Sequence, residues 1–395
     1  MSEQIVLGLG DNIDYEIRWD SALLERLIRE VGLSASEIDR NIEINTSKDL
    51  LASILGFARD SSGGERFVQN PDLIETFAAP FEKKITLGGT AVRAAIAMRK
   101  LGYTSAVHLV MMNEHVERLL PADCPRFCSN SGTSSYPHLI IQFNAGVRLD
   151  AGDIHIETER PNRIIYTNDP DNALMCLHPG LPALLQDAKV FLISGFNTMQ
   201  DVPLLEDRLG QLRTMVRGLS EKTMVFYEDG AFHREGMSAI VRRFLLPCID
   251  IYSLNEDEMQ GYLGRPVALT DSNAVADALQ DLYRMIPCPV LILHTRYWAL
   301  AYRPEGNAGN YAKPLLGGIT MATARFRLGD DFTGRDYMET GALPTEEPGA
   351  VFAGEIRDLL GDRVYCVPSF TVPEKNVTTI GLGDTFVGGF LPALL

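Results

Sequence analysis

Short runs that are apolar on both parities, separated by segments of helical periodicity, recur along most of this chain. Residues 5–9, 105–111, 190–194, 224–227, 249–253, 290–294 and 298–302 are such runs. A strand with one wet face alternates; a strand covered on both faces does not, which marks parallel strands between helical layers. Residues 90–101 show the helical counterpart. Ala91, Ala94, Ala95, Met98 and Leu101 recur at helical spacing, with Arg93, Arg99 and Lys100 elsewhere, and 201–219 is a second such segment. The pattern predicts an α/β, doubly wound, mostly parallel sheet.

Two regions break the rhythm. Residues 138–143, 147–149, 154–157 and 164–166 alternate like an antiparallel sheet with a polar face, and 13 to about 75 is irregular. At 395 residues the chain is too long for one small core. The expected division is a large unit of 1–12, 76–135 and 171–395, with a smaller β-rich lid of 13–75 and 136–170.

Composition narrows the partners. Lys+Arg at 36 against Asp+Glu at 52 gives a net charge of −16, which disfavours nucleic acid and anionic membranes. A few local arginines, backbone amides and a divalent cation still suffice for a phosphorylated ligand. No apolar run reaches the roughly 18 residues of a membrane span. The start, Met1-Ser2-Glu3-Gln4, lacks a signal peptide's basic region, so a cytoplasmic protein is expected. The six cysteines are scattered, and the close pair Cys124 and Cys128 has no partner at zinc spacing.

The chemistry concentrates at Gly381-Leu382-Gly383-Asp384. It follows the β-branched run 377–380 and opens onto small and apolar residues, so it reads as strand, glycine turn and helix start. Glycines there let amides approach an anion at a helix N-terminus. A carboxylate at such a turn would repel a phosphate unless it takes the proton of an attacking hydroxyl. The same tetrapeptide recurs as Gly8-Leu9-Gly10-Asp11 but leads into Asn12-Ile13-Asp14, with no small-residue helix behind it.

Other features fall at strand ends or helix starts. Asp14 can accept hydrogen bonds from two sugar hydroxyls, or simply cap a turn. Gly88-Gly89 opens the 90–101 helix. Glu228 ends one strand and Asn255-Glu256-Asp257-Glu258 follows another; carboxylates so placed hold Mg²⁺, or cap a helix. Gly-Lys-Ser/Thr, His-Glu-x-x-His and Gly-x-Ser-x-Gly do not occur, and neither glycine pair completes Gly-x-Gly-x-x-Gly.

In order along the chain, Asn12-Ile13-Asp14, Gly63-Gly64-Glu65-Arg66-Phe67, Gly88-Gly89, Arg160-Pro161-Asn162-Arg163, Ser194-Gly195-Phe196, Glu228, Asn255-x-x-Glu258, His294-Thr295 and Gly381-Leu382-Gly383-Asp384 resemble the ADP-dependent glucokinases and phosphofructokinases of the ribokinase superfamily. The resemblance implies a ribokinase-like fold with a lid closing on sugar and nucleotide. It implies Asp384 as general base and the amides of Gly381, Leu382 and Gly383 as anion hole. Asn12, Asp14, Glu65, Gly88, Gly89 and Arg163 (or Arg160) would face the substrate, with a structural salt bridge the alternative for the arginine. Asn255, His294 and Thr295 would face the nucleotide, and Glu228 and Glu258 would organise Mg²⁺. One departure stands out: the family's His-x-Glu is Phe226-Tyr227-Glu228 here.

The reading is a Mg²⁺-dependent kinase passing the terminal phosphoryl of ADP to a sugar or sugar phosphate, with ATP as the alternative donor. Glu65 leans towards glucose; Arg93, Arg160 and Arg163 could instead form a phosphosugar cluster. A catalytically silent sugar- or nucleotide-binding sensor is the competing class, which the missing histidine favours and the intact Asp384 turn opposes.

Overall fold

The computed structural model describes residues 4–130, 132, 135–374 and 377–395. Among these a nine-stranded sheet runs in the spatial order Val364–Pro368, Trp298–Tyr302, Val290–His294, Ile251–Asn255, Met224–Glu228, Val190–Ile193, Ile5–Leu7, Ala106–Leu109 and Arg126–Cys128. From Val290–His294 to Arg126–Cys128 every pairing is parallel. Val6, Leu7, Phe191, Leu192, Leu291 and Ile292 are excluded from water, as the two-sided apolar pattern requires.

At the other edge the expected strand 298–302 is antiparallel, and Val364–Pro368, which the sequence did not offer as a strand, lies beside it. Trp298–Tyr302 pairs antiparallel with Val290–His294 and with Val364–Pro368. The link between 294 and 298 is far too short for a crossover, so only a hairpin fits. The segment 377–380, read as a strand, pairs with none. Most of its polar groups are met by side chains and a carbonyl outside any ladder. Gln142 Nε2 donates to the Val377 carbonyl, Gln142 Oε1 accepts from Thr379 N and Thr378 Oγ1, and Thr378 N donates to the Phe326 carbonyl.

Ile5–Leu7 lies between Val190–Ile193 and Ala106–Leu109, so strand order reverses beside it. Open α/β sheets take ligands at such a reversal, beyond the carboxyl ends of the strands. Here the chain leaves Ile5–Leu7 through the Gly8-to-Asp11 turn and enters a second, five-stranded sheet. Its order is Gly64–Phe67, Asn162–Thr167, His138–Phe143, Asn12–Arg18 and Lys83–Gly88. This sheet is mixed, where antiparallel pairing was expected: Asn12–Arg18 runs parallel to His138–Phe143, and Gly64–Phe67 parallel to Asn162–Thr167. A strand from the 76–135 stretch, Lys83–Gly88, completes it and leads directly into the Thr90–Arg99 helix. Arg148–Ala151 and Ile154–Glu157 form a separate hairpin.

Candidate active site

A cleft of about 790 Å³ is lined both by the strand ends of the large sheet and by the smaller sheet. Asn12, Asp14, Glu65, Gly89, Arg163, Glu228, Asn255, Glu258, His294 and the whole of Gly381-Leu382-Gly383-Asp384 border it. Gly88 and Thr295 do not.

Gly381 takes the left-handed conformation (φ 62°, ψ 30°) as N-cap of the Leu382–Phe390 helix, and no side chain caps its amides. An uncapped helix start offers N–H groups and the positive end of the helix dipole to an anion. Asp384 stands in that first turn. Its Oδ1 accepts from Thr90 Oγ1 at 2.7 Å, and its Oδ2 lies 3.7 Å from Arg93 Nε. The carboxylate is thus oriented by the start of a different helix while its side chain stays 25% exposed to the cleft. Arg325 Nε donates to the Ile380 carbonyl at 2.7 Å, which anchors the turn from below.

Asp14 borders the same cleft and is almost fully buried. Asn12 Nδ2 donates to its Oδ1 and Arg93 Nη2 to its Oδ2, each at 2.6 Å. Burial pushes the Asp14 pKa up, and Arg93 and His138 work against that rise. Gly88 serves this pair by size: a Cβ there would sit 2.3 Å from Asn12 Nδ2 and 2.5 Å from Asp14 Oδ2. Glu65, on the edge strand, is raised by burial and opposed by Arg163 and His138. Arg163 Nε is buried with no hydrogen-bond acceptor, whereas Arg160 Nε donates to the Ser61 carbonyl at 3.0 Å.

Another part of the lining is acidic. His294 Nε2 meets Glu228 Oε1 at 2.9 Å and its ring stacks on Phe386, while Glu228 Oε2 is buried with no partner. Phe226, which departs from the resembled His-x-Glu pattern, is buried in the sheet against Phe390. The histidine that meets Glu228 comes from the strand Val290–His294. Glu258 titrates far above the ordinary glutamate range, because burial and then Asp229 and Glu228 disfavour its charge. Asn255 and Glu258 also form a capping box: Asn255 Oδ1 accepts from Glu258 N, and Glu258 Oε2 from Asn255 N. Thr295 holds the hairpin turn, its hydroxyl donating to the Trp298 carbonyl and accepting from Tyr297 N and Trp298 N.

An unpartnered buried carboxylate oxygen beside a carboxyl group resisting ionisation is a donor set that a divalent cation would relieve. Among the described residues no three or more of His, Cys, Asp and Glu form a ready-made cage. Mg²⁺ suits such a site, since it keeps several waters and needs only one or two carboxylates plus phosphate oxygens.

Sequence reasoning missed Thr90 and His138, and it offered Arg93 to a phosphate that the structure keeps from it. Thr90 and Arg93 stand three apart on one helix face directly after Gly89, which was the available signal. His138 lies 3.3 Å from Asp169 Oδ2 and 4.0 Å from Asp14 Oδ1; burial lowers its pKa, but those carboxylates together raise it above the ordinary histidine value.

A carboxylate beside an uncapped helix start, with a second, buried carboxylate in the same cleft, is an arrangement that phosphoryl transfer to a hydroxyl can use. A family model described as "ADP-specific Phosphofructokinase/Glucokinase conserved region" matches residues 3–325, and the chain belongs to that family of ADP-dependent sugar kinases. The Gly381-to-Asp384 turn lies beyond this match, within the reach of the structural comparisons. A phosphofructokinase from Pyrococcus horikoshii OT3 with AMP has a TM-score of 0.73 at 19% identity, covering 100% of this chain and 98% of that one. A hypothetical ADP-dependent phosphofructokinase from the same organism has a TM-score of 0.72 at 19% identity, with the same coverage. An ADP-dependent kinase in complex with fructose-6-phosphate and ADPbetaS has a TM-score of 0.75 at 15% identity, covering 99% and 93%. At these identities the likeness shows the fold. No curated protein matches the chain significantly in sequence.

Proposed function

We propose that this ADP-dependent sugar kinase acts on a free sugar of the glucose class, with Mg²⁺ as its metal and Asp384 as its base. The observation that carries the reading is the pairing of Asp384 with the bare amides of the Leu382–Phe390 helix in the cleft that Asp14 also borders, both carboxylates resting on Arg93. Asp14, with Asn12 and the Gly89 backbone, binds and orients the acceptor hydroxyls. Asp384 takes the proton of the attacking hydroxyl. The sugar oxygen bonds the β-phosphorus, the bond from that phosphorus to the bridging oxygen breaks, and AMP leaves carrying that oxygen. The amides of Gly381 to Gly383 accept the charge that builds on the phosphoryl oxygens. Glu228 and Glu258 would hold Mg²⁺, which supplies charge neutralisation on the phosphates when bound. Asn255 and His294 face the nucleotide side. A cytoplasmic setting fits such substrates and six free cysteines.

The acceptor follows from charge. Arg93 is occupied by carboxylates and Arg163 lies in the field of Glu65, which sets the two arginines nearest the acceptor side against carboxylates and supports a neutral sugar. One observation favours fructose 6-phosphate as the second reading: the unpartnered Arg163 Nε, with Arg160 nearby in the same wall. AMP release from ADP, with Mg²⁺ and glucose or fructose 6-phosphate in parallel and ATP as control donor, separates them. Glucose-dependent AMP is expected. AMP with fructose 6-phosphate alone reverses the acceptor, ADP from ATP alone overturns the donor, and silence with bound nucleotide leaves a sensor.

A further inference from the structure

We propose that Arg93 is a positioning residue of the transfer site, its buried guanidinium fixing the acceptor-side Asp14 and the base Asp384 in one frame beneath the Gly381 turn. This rests on the kinase reading above. The Arg93 side chain is 4% exposed and meets four carboxylates from three separate segments. Asp14 Oδ2 lies at 2.6 Å and Glu16 Oε1 at 3.2 Å from Nη2, Asp384 Oδ2 at 3.7 Å from Nε, and Asp330 Oδ1 at 3.8 Å from Nη1. The guanidinium also packs directly under the turn: a Cβ on Gly381 would sit 2.8 Å from Arg93 Cδ and 3.0 Å from Nε and Nη1.

The geometry divides the labour. The contact with Asp14 is a short, buried, charge-assisted hydrogen bond, which locks that carboxylate. The contact with Asp384 is longer, which sets its position yet leaves its lone pairs for a proton. Asp330 extends the chain of charges to Arg325, whose Nε holds the Ile380 carbonyl just before the turn. A planar fork reaches several acceptors at once; an ammonium on a flexible stem does not. Without the guanidinium, buried carboxylates that now converge on one cation would repel one another, and the acceptor and base would lose their common frame.

The test is steady-state kinetics of the full chain with ADP, Mg²⁺ and whichever sugar the wild type phosphorylates, for wild type, R93K and R93M, with Tm recorded for each. Misplacement of reacting groups by about an ångström costs on the order of 10²-fold. The expected result is a kcat loss of about 10²-fold in R93M and about tenfold in R93K. KM for ADP should hold while KM for the sugar rises. A role in stability alone would lower Tm and leave kcat per folded molecule and both KM values in place, and that outcome overturns the proposal. If R93M does not fold, R93K decides on the same criterion. Wild-type turnover with undiminished R93K overturns this role by itself; no wild-type turnover on any acceptor overturns the kinase reading and this role together.

Discussion

Asp11 rests one carboxylate oxygen on the amides of Val110 and Met111 and buries the other with no partner. Burial, against those two hydrogen bonds, pushes its pKa to about 8. The unfolded chain releases that proton near pH 4 and the folded chain only near 8, so stability must fall as pH rises between them and level off above. The slope is at most about 1.4 kcal/mol per pH unit. Asp11→Asn removes this dependence. Melting curves from pH 5 to 9 should show the variant gaining on the wild type up to about pH 8; parallel curves would contradict the assignment. Asp384 ends the same tetrapeptide, yet it stands in a helix turn with a donor on one oxygen and access to the cleft. The contrast was legible in the residues just after each copy, which open a small-residue helix at Asp384 and a strand at Asp11. The partners were not, because Thr90 and Arg93 lie nearly three hundred positions from Asp384 in the chain.

The Leu382–Phe390 helix is held between the Thr90–Arg99 and Ala312–Leu328 helices, and the two glycines of its last turn make the fit possible. A Cβ on Gly388 would lie 2.8 Å from Ala97 Cβ, and one on Gly389 would lie 2.3 Å from the Gly317 carbonyl oxygen. Propensity alone argues against two glycines inside a helix. Close backbone approach overrides it, so the helix was predictable from the turn before it but the packing was not. Gly389→Ala should cost about 1–3 kcal/mol by urea unfolding, and it should lower kcat if the same helix carries the proposed anion turn. Gly354, exposed in the Glu347–Leu360 helix with nothing within 4 Å of a Cβ, gives the opposite sign: Gly354→Ala should stabilise by about 0.5–1 kcal/mol. Equal effects at the two positions would refute the packing account. The segment 377–380 shows where local pattern fails. Its β-branched composition reads as strand, but Gln142 from the smaller sheet and the Phe326 carbonyl meet polar groups that a ladder would otherwise have met.

Across the whole molecule, the two sheets meet through charge as well as backbone. Lys84 at the edge of the smaller sheet, Arg93 under the cleft and Arg325 below the Gly381 turn all reach Asp330. Partial burial opposes ionisation of Asp330, but Arg325, Arg93 and Lys84 outweigh it and hold its pKa well below the ordinary aspartate value. Asp330→Asn should therefore cost about 1–3 kcal/mol at neutral pH, since it leaves buried guanidinium groups undercompensated. A carboxylate with a depressed pKa contributes fully above its unfolded value and loses that contribution in acid. The gap between variant and wild type, read from urea midpoints, should narrow below about pH 4 and stay constant above it; a gap that widens in acid would reject the network. None of this was visible in one sequence, because an Asp330-Asp331 pair after a helix reads as a solvated turn. The class of fold and the order of the motifs were visible, since two-sided apolar strands and glycine turns are local features. The most direct measurement of the account is AMP formation by wild type and Asp384→Asn with ADP, Mg²⁺ and glucose, alongside calorimetric ADP binding to both. The account predicts a fall in kcat of at least about 10²-fold with ADP affinity retained. An Asp384→Asn protein that folds, binds ADP and turns over near the wild-type rate would contradict it.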